Sequence, residues 1–312
     1  MILLATNRRD VTTDFIVREL ERRETDFVRL NTESISEWTV EIPNGNVAEA
    51  IFRKGSRSFN VGQVAGAYYR RPLPPVITHH DPATVSYLQD EWSAVLRSLW
   101  NALEGRWLNS PFAILRAEDK PRQLALARQC GLLIPETLVT NEPERARDFV
   151  NEHTCIAKPL RHALIEDGGP GRVIFTSRIE ELSDQDAQSI RKAPIIFQRE
   201  IKKHADIRVI VVDRHIFATQ IDSQAHEETS VDWRKGVRTD LRHGRLELPA
   251  AINEACISVT ARLGLRYSAI DLVLDPDENF WFLEANPNGQ WAWIQQRTSA
   301  PIAAAITDGL LQ

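Results

Sequence analysis

The sequence predicts a mixed architecture, α/β in a first domain and α+β after it, and three observations carry that expectation. Residues 2–5 and 27–30 are short apolar runs on either side of a segment with helical spacing at Phe15, Val17 and Leu20. Strand, helix, strand in that order implies a βαβ unit and a parallel sheet. Residues 41–59 carry turn formers at 43–46 and 53–56 and read as a β-meander. Residues 269–274 and 280–285 are apolar runs around Asp275-Pro276-Asp277-Glu278-Asn279, a β-hairpin with a loop of about five residues.

The expected first domain covers residues 1–110. Its first βα link, Thr6-Asn7-Arg8-Arg9-Asp10, has no glycine fingerprint, so dinucleotide binding is not supported. Residues 64–71, VAGAYYRR before Pro72, read as a strand ending in paired arginines. Arg70 and Arg71 either close a solvated strand end or face an acidic peptide or phosphate. His79, His80 and Asp81 lack further spaced ligands and read as a loop with a helix cap. The helix at 84–104 shows Val85, Leu88, Trp92, Val95, Leu96, Leu99, Trp100 and Leu103 in steps of three and four. So broad a stripe serves the core and leaves room for a homodimer interface.

A small α+β domain is expected over 111–190. Residues 118–130 form a helix closed by Gly131, with Pro121 tolerated in its first turn. Lys120 at that helix start is unfavourable for the dipole unless a phosphate binds there. Residues 155–159, CIAKP, form a strand that sets Lys158 among apolar residues, where an ammonium needs an anionic partner. Residues 161–172 contain Asp167-Gly168-Gly169-Pro170-Gly171, glycine-rich but without the Gly-Lys-Ser/Thr ending of a Walker loop. The larger α+β domain is expected over 191–312. Its strand at 195–198 leads into Arg199-Glu200-Ile201. Another, at 206–213, begins with Asp206-Ile207-Arg208, where Arg208 either points to a phosphate or pairs with Asp206. Residues 223–234 are irregular and polar, ending in Asp232-Trp233-Arg234; Arg234 is suited to a phosphate or a substrate carboxylate. A helix at 251–263, stopped by Gly264, precedes the hairpin, and a short helix at 301–311 closes the chain.

The hairpin holds the strongest chemical signal. A turn centred between Asp277 and Glu278 sets Asp271 opposite Glu284, and Asn286 lies two residues further on the same face. Like charges directly opposite one another destabilise a sheet. Both carboxylates also sit in apolar runs, where buried charge needs a partner. Two carboxylates and an amide oxygen are hard donors that favour Mg²⁺, or Mn²⁺, over zinc. Magnesium takes few protein ligands and leaves the rest to water and phosphates, so the site suits a nucleotide.

Length and composition bound the partners. A chain of 312 residues can hold two or three cores, and 43% hydrophobic with 26% charged residues is globular composition. The net charge of −5 gives no general nucleic-acid footprint. No apolar run approaches the ~20 residues of a membrane helix. The opening Met-Ile-Leu-Leu-Ala is too short for a signal peptide. Cys130, Cys155 and Cys256 are odd in number and widely spaced, which fits small core residues in a reducing cytoplasm.

The stretch DLVLD…FLEANPNGQW (271–275 and 282–291) resembles the metal end of the ATP-grasp fold. With Ser223-Gln224…Asp232-Trp233-Arg234 and Tyr69-Arg70-Arg71-Pro72, it is similar to the graspetide or microviridin-type macrocyclases, relatives of the RimK-type glutamate ligases. The resemblance covers nearly the whole chain and implies an ATP-grasp fold behind an N-terminal α/β pre-ATP-grasp domain. It implies ATP and Mg²⁺ as cofactors, with Asp271, Glu284 and Asn286 as metal ligands. Lys120, Lys158 and Arg208 would neutralise phosphates, and Gly168 and Gly169 would lie in a loop over the triphosphate. Gln198, Glu200 and Ile201 would form the hinge beside adenine and ribose. Many ATP-grasp enzymes read Gln-Glu-aromatic there, whereas this chain reads Gln198-Arg199-Glu200. Arg208, Arg234 and Lys158 are the catalytic candidates. The implied reaction activates Asp or Glu side chains of a ribosomal precursor peptide, with a leader and an acidic core, as acyl phosphates. Ser, Thr or Lys side chains then close ω-ester or ω-amide rings. A homodimer is implied as well. The alternatives are a RimK-like ligase that joins a free amino acid to a peptide or protein, and a non-catalytic peptide-binding module.

Overall fold

The computed structural model describes residues 1–160, 164–165, 172–173, 177–226, 231, 233 and 241–312. The chain begins with β1 (Ile2–Thr6), α1 (Val11–Arg22) and β2 (Phe27–Asn31). A meander follows, formed by β3 (Thr39–Glu41), β4 (Ile51–Lys54) and β5 (Arg57–Asn60), and then β6 (Gly66–Tyr69). Strands β2, β1 and β6 form a parallel sheet in that order, as the βαβ pattern implied. The alternation of β1 divides its side chains between two cores. Leu3 and Ala5 pack with Trp38, Phe52, Phe59, Leu99 and Trp100. Ile2 and Leu4 pack with Ile210, Tyr267, Trp291 and Ile306, so the first sheet shares a core with the C-terminal part. Helix α2 (Pro82–Ala102) starts two residues before the expected span, because Asp81 accepts from the N–H groups of Ala83 and Thr84.

Helices α3 (Pro111–Ala117) and α4 (Lys120–Gln129) come next, capped by Ser110 and Asp119. The four-stranded sheet contains β7 (Thr137–Thr140), β8 (Cys155–Lys158), β11 (Ser177–Ile179) and β12 (Ile195–Arg199), in the order β11-β8-β12-β7. Helices α5 (Pro143–Glu152) and α6 (Asp184–Ile190) accompany it, and β9 (Leu164–Ile165) pairs with β10 (Arg172–Val173). The five-stranded sheet holds β13 (Ala205–Val212), β14 (His215–Ile221), β15 (His243–Leu246), β16 (Tyr267–Leu274) and β17 (Phe280–Asn286), in the order β15-β14-β13-β16-β17. Helix α7 (Ala250–Arg262) packs on it, and α8 (Ala292–Thr298) and α9 (Ile302–Leu311) end the chain.

The sheets group residues differently from a division at 111 and 190. Ala113, Ile114, Ala117, Leu124 and Ala127 of α3 and α4 share a core with Val209, Ile270 and Phe282 of the five-stranded sheet. Strand β12 lies past 190 yet is bonded on both sides within the four-stranded sheet. Helices α3, α5, α6 and α8 are absent from the sequence reading; α3, α6 and α8 have seven residues each, too few for a hydrophobic period to emerge. Among the described residues no helix is long and apolar enough to cross a membrane.

Candidate functional site

A cleft lies between the four-stranded and five-stranded sheets. Ile156 and Lys158 of β8, and Gln198, Glu200 and Ile201 at the end of β12, line one wall. Asp206, Asp271, Val273, Leu283 and Glu284 line the other, with Lys203, Val231 and Trp233 between.

The hairpin register sets the chemistry of the second wall. Asp271 is opposite Glu284, and Ala269 is opposite Asn286. Nearer the turn, however, Leu272 pairs with Phe282 and Leu274 with Phe280, so the turn centres on Asp277. Leu283 is the extra residue of a β-bulge, which restores the pairing at Asp271. The bulge also puts two consecutive residues, Leu283 and Glu284, on the cleft, while Phe282 and Ala285 on either side enter the core. A symmetric loop gives the correct Asp271–Glu284 pair but misplaces the turn centre, because the bulge has no sequence signal.

Asp271 is 8% exposed and Arg208 is 6% exposed. They are ladder partners across β13 and β16, and Arg208 Nη1 donates to Asp271 Oδ1 at 2.6 Å. The expected alternative partner of Arg208, Asp206, is instead bound by Lys203 Nζ at 2.9 and 3.1 Å. Lys203 also donates to Val231 O at 2.8 Å. Burial pushes the Asp206 carboxyl above the usual range, against the pull of the Lys203 ammonium and the Ser223 hydroxyl. Sequence reasoning missed this pair; the signal available was a lysine three residues before an aspartate that opens a buried strand.

The lysines approach from the other side. Lys158 Nζ donates to Gln198 Oε1 at 2.9 Å, and Gln198 Nε2 donates to Thr137 Oγ1 at 2.8 Å. Gln198 is fully buried, so its side chain orients Lys158. Lys120 is the first residue of α4, and its Nζ donates to Pro159 O at 2.8 Å, at the end of β8. Glu200 receives both arms of Arg178, at 2.6 and 2.7 Å. A carboxylate has about four lone-pair sites, so Glu200 retains capacity for a ribose hydroxyl. Asn286 Oδ1 accepts from the N–H of Asn288 at 2.9 Å. Gly168, Gly169 and Arg234 lie outside the described residues.

The Arg70–Arg71 pair splits. Arg70 is 1% exposed and turns inward to Asp10, Asn288 and Gly289, which corrects the solvated-terminus reading. Arg71 is exposed at φ 47°, its carbonyl held by Asn7 Nδ2 at 2.7 Å.

The donor set fits a hard cation. Opposite residues have Cβ atoms about 5 Å apart, where two unit charges repel by roughly 3 kcal/mol at an effective dielectric near 20. That exceeds the ~1 kcal/mol a favourable cross-strand pair returns, so Asp271 and Glu284 need positive charge between or beside them. Arg208 supplies part of it in this structure. Among the described residues no group of three or more His, Cys, Asp or Glu side chains gathers as a metal site.

Comparison with known proteins agrees with this geometry. A RimK-like ATP-grasp domain matches residues 117–310. A probable alpha-L-glutamate ligase of Saccharophagus degradans is 27% identical over 205 residues, 64% of this chain and 65% of that protein. The chain spans between 52% and 65% of the length of such relatives. Macrocyclase MdnC of Microcystis aeruginosa MRC, bound with precursor peptide MdnA, superposes with a TM-score of 0.84 at 27% identity over 99% of each chain. A RiPP-associated ATP-grasp ligase of Chryseobacterium gregarium, in complex with ADP and a leader and core peptide, has a TM-score of 0.87 at 25% identity, over 99% of this chain and 96% of that one. The domain match covers more than half of the chain, and this chain belongs to the RimK-like ATP-grasp family.

Proposed function

We propose that this chain is an ATP-dependent ligase that activates Asp or Glu side chains of a ribosomally made precursor peptide and closes ω-ester or ω-amide rings. The observation that carries the reading is the Asp271–Glu284 pair, set opposite each other on a cleft that also holds Lys158. Asp271, Glu284 and Asn286 would hold Mg²⁺, which supplies charge neutralisation of the transferring phosphoryl group. Lys120 and Lys158 bind and orient the phosphates, and Gln198 fixes the direction of Lys158. Glu200 and Ile201 face the ribose and base. Arg208, already against Asp271, would stabilise the charge that grows on the acyl phosphate.

A substrate carboxylate oxygen attacks the γ-phosphorus and ADP leaves. A Ser or Thr hydroxyl, or a Lys amine, of the same peptide then attacks the acyl carbon, loses its proton and expels phosphate. Positioning and charge stabilisation account for phosphoryl transfer, so the chain needs no covalent nucleophile of its own. The substrate class is supported by the two peptide-bound solved structures, whose likeness extends over the whole chain. A homodimer belongs to the same proposal, supported by exposed Leu73, Val76 and Tyr87 on and before α2. The alpha-L-glutamate ligase relative favours a second reading, addition of a free amino acid to a peptide or protein.

The test is ADP release with an acidic peptide and Mg²⁺. Asp271→Asn and Glu284→Gln are each expected to lower turnover by at least ~100-fold, beyond the ~10–100-fold typical of outer-shell partners. Unchanged turnover in both variants would remove these carboxylates from the metal role.

A further inference from the structure

We infer that Arg70 is a positioning residue for the metal end of the cleft, acting from the first domain through the loop after Asn286. This rests on the roles proposed above for Asp271, Glu284 and Asn286. Arg70 directly follows β6, and its backbone N–H still bonds Ala5 O at 2.9 Å. Among the described residues only Trp291 exceeds it in volume as a fully buried side chain. Its Nε lies 3.3 Å from Asp10 Oδ2. Asp10 also accepts from the Thr12 N–H at 3.2 Å, Thr13 Oγ1 at 2.5 Å and Thr6 Oγ1 at 3.1 Å. At its other end, Arg70 Nη1 donates to Asn288 O at 3.1 Å and to Gly289 O at 3.2 Å. Its Nε is thus ion-paired with Asp10, while Nη2 makes no hydrogen bond of good geometry among the described residues. An apolar side chain of the same volume often stabilises a domain contact as well as a buried ion pair does. A guanidinium kept here, with two backbone carbonyls on its Nη1, calls for a further role.

The carbonyls it holds supply that role. Each carbonyl from 287 to 289 accepts from a buried side chain elsewhere in the chain. Asn109 Nδ2 donates to Pro287 O at 3.1 Å, Arg70 to Asn288 O, and both Arg70 and Tyr267 Oη, at 2.7 Å, to Gly289 O. Burial raises the Tyr267 phenol above its ordinary range, so it stays a donor. The loop in turn fixes Asn286, whose side-chain oxygen takes the Asn288 N–H and whose carbonyl takes the Gly289 N–H at 3.3 Å. On its opposite side the loop touches Arg208. A Cβ at 289 would stand 2.9 Å from Arg208 Nη2 and 2.2 Å from Ala269 Cβ, so only glycine lets the two approach. One short loop therefore lies between two guanidiniums, and its placement sets Asn286 and Arg208 together.

Arg70→Lys tests this, since an ammonium keeps the charge near Asp10 but lacks the fork that spans both carbonyls. The probe is Mn²⁺ with ADP, its binding followed by electron paramagnetic resonance, beside a thermal melt. The R70K variant is expected to melt cooperatively and to bind Mn²⁺ about tenfold more weakly, within the ~10–100-fold range of outer-shell partners. The metal concentration for half-maximal ADP release should rise by the same factor. A lowered melting temperature with unchanged Mn²⁺ affinity would make Arg70 a domain staple and overturn the inference. Should R70K not fold, Tyr267→Phe removes one donor to Gly289 O at nearly constant volume. A smaller weakening of Mn²⁺ binding supports the inference, and none overturns it. Mn²⁺–ADP binding by the wild-type chain without ligation of any peptide overturns the substrate reading alone. No Mn²⁺–ADP binding by the wild type overturns the inference together with the metal reading.

Discussion

Lys158 reaches the cleft with its ammonium 2.9 Å from a fully buried Gln198 oxygen, and the other end of that amide donates to Thr137. The amide spends both ends inside the protein, so its contribution to nucleotide binding passes through the lysine. Gln198→Leu would remove an acceptor from the Lys158 ammonium, a charged hydrogen bond of about 1.5–3 kcal/mol, while the Thr137 hydroxyl keeps its bond to Pro135 O. The expected outcome is a KM for ATP raised by about tenfold, the equivalent of ~1.4 kcal/mol, with a smaller change in kcat. An unchanged KM in a folded variant would mean that Lys158 is oriented by other groups. Single residues were legible in the sequence where their chemistry conflicted with their surroundings. Lys158, Arg208, Asp271 and Glu284 stood out as charges within apolar runs, and all four lie at the cleft or against it. Partners were less legible. Arg208 chose Asp271, 63 residues away, over Asp206, because the β13–β16 register puts the two directly across the ladder.

At the scale of elements, the β-bulge at Leu283 shapes the cleft. Regular alternation would send neighbouring residues to opposite faces of β17. The bulge instead gives the cleft an apolar side chain, Leu283, beside a carboxylate, Glu284. Val273 faces the same space from β16 and Ile156 from β8, an apolar lining suited to a flat base. Leu283→Ala should weaken ATP binding by several-fold, from the loss of roughly 1–2 kcal/mol of apolar burial, while Mn²⁺ binding in the absence of nucleotide stays unchanged. Loss of metal binding in this variant would show that the bulge, and not the apolar contact, was disturbed. Long elements were readable because their periods repeat. Strands β13 and β16, of eight residues each, and helix α2, of 21, follow from such patterns. Helices α3 and α8 and the bulge itself depend on tertiary packing, which leaves no period to read.

Across the whole molecule, three layers of contact bring one site together. The four-stranded sheet offers Lys158, the five-stranded sheet offers the carboxylates and Arg208, and the first domain holds the loop behind them. The first sheet and the C-terminal helices share a core through Ile2, Leu4, Trp291 and Ile306, so the support is continuous with the fold. The sequence marked both ends of this arrangement, Tyr-Arg-Arg-Pro and Asn-Pro-Asn-Gly-Gln-Trp, as separate signatures. Their contact spans more than two hundred residues of chain, and Arg70 Nη1 on Asn288 O is its point of closure. No local pattern encodes such a meeting; it follows from the shared core that holds Tyr68 of β6 and Tyr267 of β16.

The central claim is that carboxylates of a peptide are activated in this cleft and captured within the same peptide. Its most direct test is the intact mass of an acidic precursor peptide, encoded beside this gene, after incubation with the enzyme, ATP and Mg²⁺. The account expects loss of the mass of one water per ring, ADP formed in step, and no loss with D271N. A gain equal to an amino-acid residue, or ADP formation without any change in peptide mass, would contradict it.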